Sequence, residues 1–240
     1  MATGTSKVDL RRAEDRGLST TDWLQSRHSF SFADYYDSTN THHGLLLVNN
    51  DDIVAPAAGF DTHPHRDMEI VTWVLSGQLA HKDSMGNSGV IYPGLAQRMS
   101  AGTGVQHSEK NGSDTEPVHF IQMWVLPDEA GVTPSYQQQE IELTNSLTPI
   151  ASGTRDAAVT LHNRNATLYG ARLQPGDSVT LPQARYVHLF VARGAVTLEG
   201  SGPLAEGDAA RITDAGGQRI TADDAAEILI WEMNAGLGGA

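Results

Sequence analysis

Cysteine is absent from the 240 residues. Disulfides and thiolate ligands are therefore excluded, any metal must be held by histidines and carboxylates, and thiol-based redox sensing is ruled out. Long apolar runs are missing as well: residues 1–17 are polar and charged, and no later stretch approaches the length of a membrane span. A soluble, cytoplasmic protein with no membrane partner is expected. Basic residues are few, 16 Lys and Arg against 29 Asp and Glu, for a formal charge of -13. Such a surface repels phosphate backbones and argues against direct binding of nucleic acid. At this length the chain can form one large or two modest domains that bury a core without staples.

What is present concentrates in two stretches. The first is Gly59-Phe60-Asp61-Thr62-His63-Pro64-His65-Arg66-Asp67-Met68-Glu69, running into the β-branched and aromatic segment Ile70 to Leu75 and closed by Gly77. It reads as a strand with its approach. Side chains alternate in extended backbone, so His63 and His65 point the same way, about 7 Å apart along the chain, with Asp67 and Glu69 in phase. Two imidazoles so placed can lean onto one ion at ~2.1 Å each. The second stretch, Ser100 to Asn111, repeats that geometry with His107 and Glu109 after the Gly-rich turn Gly102-Thr103-Gly104. A His-x-His pair alone is more often a polar strand edge than a ligand set; the second pair shifts the balance. Three neutral imidazoles and a carboxylate suit iron(II), manganese, nickel, copper or zinc, and suit calcium poorly.

The phrases His63-Pro64-His65-Arg66-Asp67-Met68-Glu69, Asp83-Ser84-Met85-Gly86-Asn87 and Met99-Ser100-Ala101-Gly102-Thr103-Gly104 resemble the two cupin motifs as the pirin family writes them. The match is specific from about Lys7 to about Tyr136 and weaker beyond. The resemblance assigns the metal to His63, His65, His107 and Glu109. It departs from the wider cupin pattern at Gly102, where a proline is common. Glu69 stands near the usual cupin acid, but in pirins the carboxylate comes from the second motif, which leaves Glu69 an outer or pocket role.

Along the chain, a strand is expected near Lys7 to Leu10. Thr20 or Thr21 can cap one helical turn over Asp22 to Gln25, and Phe30 and Phe32 alternate with serines as a strand should. His28, His42 and His43 read as surface or hydrogen-bonded histidines. Leu45 to Val48 is a short strand ended by the turn cluster Asn49-Asn50-Asp51-Asp52. His81 is the one other histidine that could approach the site; beyond the Gly77 turn, it reads more simply as structural. Val118 to Leu126 is a long alternating strand stopped by Pro127, with His119, Ile121 and Met123 on one face and Phe120, Gln122 and Trp124 on the other. Asp128 to Leu147 reads as a linker. Leu189 to Val196 echoes Thr72 to Leu79 117 residues on, which puts Thr180 and Pro182 where His63 and His65 stood. The expectation is an all-β chain of two tandem cupin (jelly-roll-like) β-barrels, a bicupin, with a metal-binding domain at 1–135 and a metal-free cupin-like domain at 136–240.

The resemblance implies a quercetin 2,3-dioxygenase: an oxidoreductase that opens the central ring of a flavonol with dioxygen and releases carbon monoxide. Iron(II) is the first candidate ion, with manganese, nickel, copper, cobalt or zinc open, and Glu109 is the catalytic base toward the flavonol 3-hydroxyl. Two other readings share the site. One is an iron-dependent redox-sensing co-regulator of transcription that binds a protein partner, and the other a cupin metalloprotein with a non-flavonol substrate.

Overall fold

A computed structural model describes residues 6–237. Among these the regular structure is β apart from one 3-10 turn at Ala13–Asp15. The first half holds β1 (Lys7–Arg11), β2 (Gly17–Thr20), β3 (Leu24–His28), β4 (Leu46–Val54), β5 (Gly59–His65), β6 (Glu69–Ser76), β7 (Leu79–Asp83), β8 (Ser88–Ile91), β9 (Leu95–Ser100), β10 (Val105–Asn111), β11 (Val118–Val125) and β12 (Ser135–Glu140). The second half holds β13 (Thr148–Ser152), β14 (Val159–Thr160), β15 (Ala166–Leu173), β16 (Ser178–Thr180), β17 (Ala184–Arg193), β18 (Ala195–Leu198), β19 (Gly202–Ala205), β20 (Ala209–Ala215), β21 (Arg219–Ala222) and β22 (Ala226–Met233).

Two jelly-roll barrels result, each a seven-stranded sheet closed by a four-stranded one. The first is β12-β9-β6-β11-β4-β3-β2 over β5-β10-β7-β8, and the second β1-β20-β17-β22-β15-β13-β14 over β16-β21-β18-β19. Away from the sheet edges the two orders correspond, β6 with β17 and β7 with β18, so the expected echo is a repeat of topology.

The large sheets pack against each other through their outer faces. Val71, Trp73 and Leu75 of β6 and Ile121, Met123 and Val125 of β11 share one buried cluster with Phe190, Leu229, Trp231 and Met233. Residues of the opposite phase, such as Val187, Leu189, Ile228 and Ile230, fill the second barrel instead. Strands wetted on neither face read as largely apolar runs, as β6 and β22 do. The interior of the first barrel is different: its apolar residues fall into two small clusters, around Phe120 and around Ile70 and Met99.

Four expectations change. Thr21 starts no helical turn: its Oγ1 accepts from the amides of Trp23 and Leu24, and the turn joins β2 to β3 as a hairpin. The same side-chain bond that caps a helix also closes a tight turn. Phe30 and Phe32 follow β3 rather than extend it; Phe30 is buried in the shared core, and Phe32 sits edge-on to Trp124 at 5.5 Å. Asn49 to Asp52 lie in the middle of β4, because each polar side chain finds a partner there: Ser29, His28, Arg16 with His119, and Ser26 respectively. Within Asp128 to Leu147, β12 pairs with β9 along six residues, while β1 crosses to pair with β20. The edge strand β12 thus belongs to the first barrel's large sheet and β1 to the second's.

Candidate metal centre

Alternation and register bring the chemistry together. In β10, His107 stands opposite His63 of β5 on one side and Asp83 of β7 on the other, and Glu109 stands opposite His81. Directly paired residues share a face with Cβ atoms about 5 Å apart, so all of these side chains enter the same interior. The turn at Gly102, with φ of +46° and no room beside the Val132 carbonyl, delivers β10 to this position.

The rings of His63, His65 and His107 form a triangle with centroids 4.5, 4.8 and 4.8 Å apart. His63 Nδ1 lies 2.7 Å from the Asp61 carbonyl, which can only accept, so Nδ1 carries a proton, and in the neutral ring Nε2 is the lone pair. That lone pair faces His107 Nε2 at 3.0 Å. Two nitrogens each ~2.1 Å from one ion and at right angles would be about 3.0 Å apart. His65 Nε2 is buried without a hydrogen-bond partner, a loss of about 1–3 kcal/mol unless something coordinates it. These three imidazoles fit a divalent transition-metal ion. Burial, with His63 beside it, holds His65 down to about 4; burial, with His63, His65 and His81 nearby, holds His107 to about 2. Both are neutral donors at pH 7.

Glu109 groups with His107 and His81, all three fully enclosed, rather than with His63 and His65. The expected ligands thus form two overlapping sets that share His107. Gln122 Nε2 donates to both Glu109 oxygens, at 2.9 and 3.0 Å, and Trp124 Nε1 donates to Gln122 Oε1. Burial pushes the Glu109 carboxyl up to about 7 against the opposing pull of Gln122. Glu69 is buried elsewhere: it accepts from Ser100 Oγ and from the amide of His162 in the second half.

Beside Glu109 and His63 lies a cavity of about 260 Å³ walled by Phe32, Phe60 and Trp124. The face of β11 that bears Gln122 and Trp124 is the one turned inward. Its other wall is polar and was missed from the sequence: Asp52, held by Ser26, and His28, bonded to Asn50 and Ser19 at 2.9 Å each. Burial raises Asp52 to about 7. The available signal was the alternation Ser26-x-His28 opposite Asn50-x-Asp52, which only matters once β3 and β4 are known to pair.

In the second barrel, Thr180, expected at the place of His63, pairs with Arg219. Leucine, isoleucine and valine side chains fill that interior. No helix among the described residues is long and apolar enough to cross a membrane.

Comparison with known proteins agrees with this layout. The family described as Pirin matches residues 10–125, and the one described as Quercetinase C-terminal cupin domain matches residues 150–233. Rv0181c of Mycobacterium tuberculosis, which bears the name quercetin 2,3-dioxygenase provisionally, is 66% identical over 239 residues, 98% of each chain. Quercetin 2,3-dioxygenase of Escherichia coli K12 is 39% identical over 228 residues, 94% of this chain and 98% of the other. The bacterial pirin YhhW of Escherichia coli, solved in complex with nickel(II), superposes with a TM-score of 0.90 at 38% identity, covering 95% of this chain and 100% of that one.

Proposed function

This chain belongs to the pirin family, and on that premise we propose that it is a metal-dependent dioxygenase that cleaves flavonols such as quercetin, with iron(II) as the first candidate ion. The observation that carries the reading is the convergence of the His63, His65 and His107 rings on one point, with a lone pair of His63 facing His107 at 3.0 Å. His63, His65 and His107 would hold the ion, and Glu109 would complete the set or stand beside it.

The ion, when bound, lowers the pKa of a coordinated hydroxyl and supplies the redox partner that dioxygen chemistry requires. The chain's own groups do the rest. Glu109, its pKa raised to about 7 by burial, is suited to take the proton of the substrate's acidic hydroxyl onto a carboxylate oxygen near neutral pH. Gln122, donating to both oxygens, holds that carboxylate in place before and after the transfer. Phe32, Phe60 and Trp124 wall the cavity with aromatic surface that suits a planar ring and excludes water.

The test uses protein loaded anaerobically with iron(II) and mixed with quercetin in air, reading loss of flavonol absorbance and release of carbon monoxide. Glu109→Gln is expected to lose turnover far more than iron content, and His63→Ala to lose both. Full turnover by Glu109→Gln would remove the catalytic role of the carboxylate. Failure of the parent to consume any flavonol would overturn the substrate, and redox-dependent capture of a protein partner would then favour the regulatory reading.

A further inference from the structure

Behind the three-histidine triangle runs a second line of polar groups, Asp83, His81 and His107. Asp83 ends it, its carboxylate held by four hydrogen bonds: from the amides of Met85 and Asn87 to Oδ1 at 2.9 and 3.0 Å, and from Asn87 Nδ2 to both oxygens. Asp83 Oδ2 faces His81 Nε2 at 3.2 Å. His81 is 2% exposed and stacked on Tyr136 at 4.8 Å, so its ring is fixed in plane as well as in direction. Its other nitrogen, Nδ1, faces His107 Nδ1 at 3.5 Å, the longest link in the line.

Donor and acceptor roles follow from the carboxylate end. An ionised carboxylate only accepts, so His81 presents its N–H from Nε2. A neutral His81 then has its lone pair at Nδ1, aimed at His107. His107 meets an acceptor on each side, His81 Nδ1 at 3.5 Å and His63 Nε2 at 3.0 Å; a proton on Nδ1 serves His81 and leaves Nε2 bare. His63 Nε2 is also bare, because Asp61 takes the His63 proton at Nδ1. In that tautomer two lone pairs confront each other at 3.0 Å, an arrangement that repels itself until a cation lies between them.

We infer that Asp83 and His81 form a carboxylate–imidazole–imidazole chain that fixes the protonated nitrogen of His107 and so keeps its metal-facing nitrogen open. Both are positioning residues, and the inference rests on the metal centre proposed above. Metal-binding histidines commonly hand their second N–H to a carboxylate or carbonyl. Here Asp61 does so directly for His63, and Asp83 does so for His107 through an intervening ring.

Two measurements test this. Long-range proton–nitrogen NMR on metal-free, ¹⁵N-labelled protein reads the tautomers: His107 protonated at Nδ1 and His81 at Nε2 are expected, and His107 protonated at Nε2 would overturn the chain. Calorimetric titration with Ni²⁺ then compares the parent with His81→Phe, which keeps a ring against Tyr136 but offers no acceptor. Nickel affinity is expected to fall about 10–100-fold, with the Tm of metal-free protein little changed. His81→Gln, whose amide oxygen can accept from His107, is expected to recover most of the affinity. Equal affinity in His81→Phe and parent, or a loss that His81→Gln does not repair, would overturn it. If the parent itself binds no nickel, the metal-centre reading fails and the NMR tautomers alone decide the chain; they also decide it if His81→Phe does not fold.

Discussion

Trp73 in the first barrel donates its indole N–H to Glu227 in the second at 2.6 Å, and Glu227 accepts in turn from Arg172 Nε at 2.7 Å. The carboxylate thus bridges the two halves at the rim of a surface pocket that Leu75, Arg172 and Arg193 also line. Trp73→Phe would keep most of the ring but leave the buried carboxylate one donor short, at a cost of about 1–3 kcal/mol. Urea unfolding should show that loss. Because the shared core spans both halves, parent and variant should each unfold in one transition; two separate transitions would contradict the continuous core.

Removing one imidazole should abolish tight metal binding without unfolding the chain. His63→Ala is expected to weaken nickel or iron(II) binding on the order of 100-fold or more. His119→Ala, which removes a histidine that bonds Asp51 on the opposite face of β11, should leave it unchanged. Equilibrium dialysis followed by metal analysis distinguishes the two.

Acid should destabilise the protein through histidines far from the metal centre. Burial holds His43 down to about 4 although its Nε2 bonds the carbonyls of Val187 and Ile212, and burial with Arg211, His43 and Arg16 nearby holds His188 well below its ordinary value. Between those folded values and 6.5 the unfolded chain binds more protons than the native one. Stability is therefore complete above pH 6.5 and is lost as pH falls toward 4, by at most about 1.4 kcal/mol per pH unit for each such group. Neither ring nitrogen of His188 has a hydrogen-bond partner. His188→Leu should hold or raise Tm at pH 7 and flatten the fall of Tm between pH 6.5 and 5; an unchanged acid limb would refute the assignment.

Gly102 is the position where backbone geometry guards the site. With φ of +46° and a Cβ that would meet the Val132 carbonyl at 1.9 Å, Gly102→Ala forces the turn before His107 to move. A loss of more than about 3 kcal/mol, or no folded protein, is expected, read by thermal unfolding of the metal-free chain. A variant with parent-like Tm would show that the turn can relax.

Much of the site was legible because period-2 alternation is a local property. His63-x-His65 and His107-x-Glu109 had to present each pair to one face wherever the strands went. The topological repeat was legible from one hairpin echo, since the same strand-turn-strand sequence forms in both barrels. The polar run Asn49 to Asp52 misled for the opposite reason. Turn propensity reports how a segment behaves when water satisfies its side chains, and here Ser29, His28, Arg16, His119 and Ser26 satisfy them inside a strand. Similarly, β12 is polar because it is an edge strand with exposed glutamines, which from sequence is indistinguishable from a linker.

By itself the sequence determined that the fold is built from β-strands, that no thiol takes part, and that two short motifs each present a pair of candidate ligands to one face. Only the tertiary structure decided that His107 is shared between two groups of candidate ligands, that Asp83 and His81 stand behind it, and that Asp52 and His28 wall the cavity. Those facts depend on register between strands distant in the chain. Register is set by which faces can be buried together, and no residue carries that information alone.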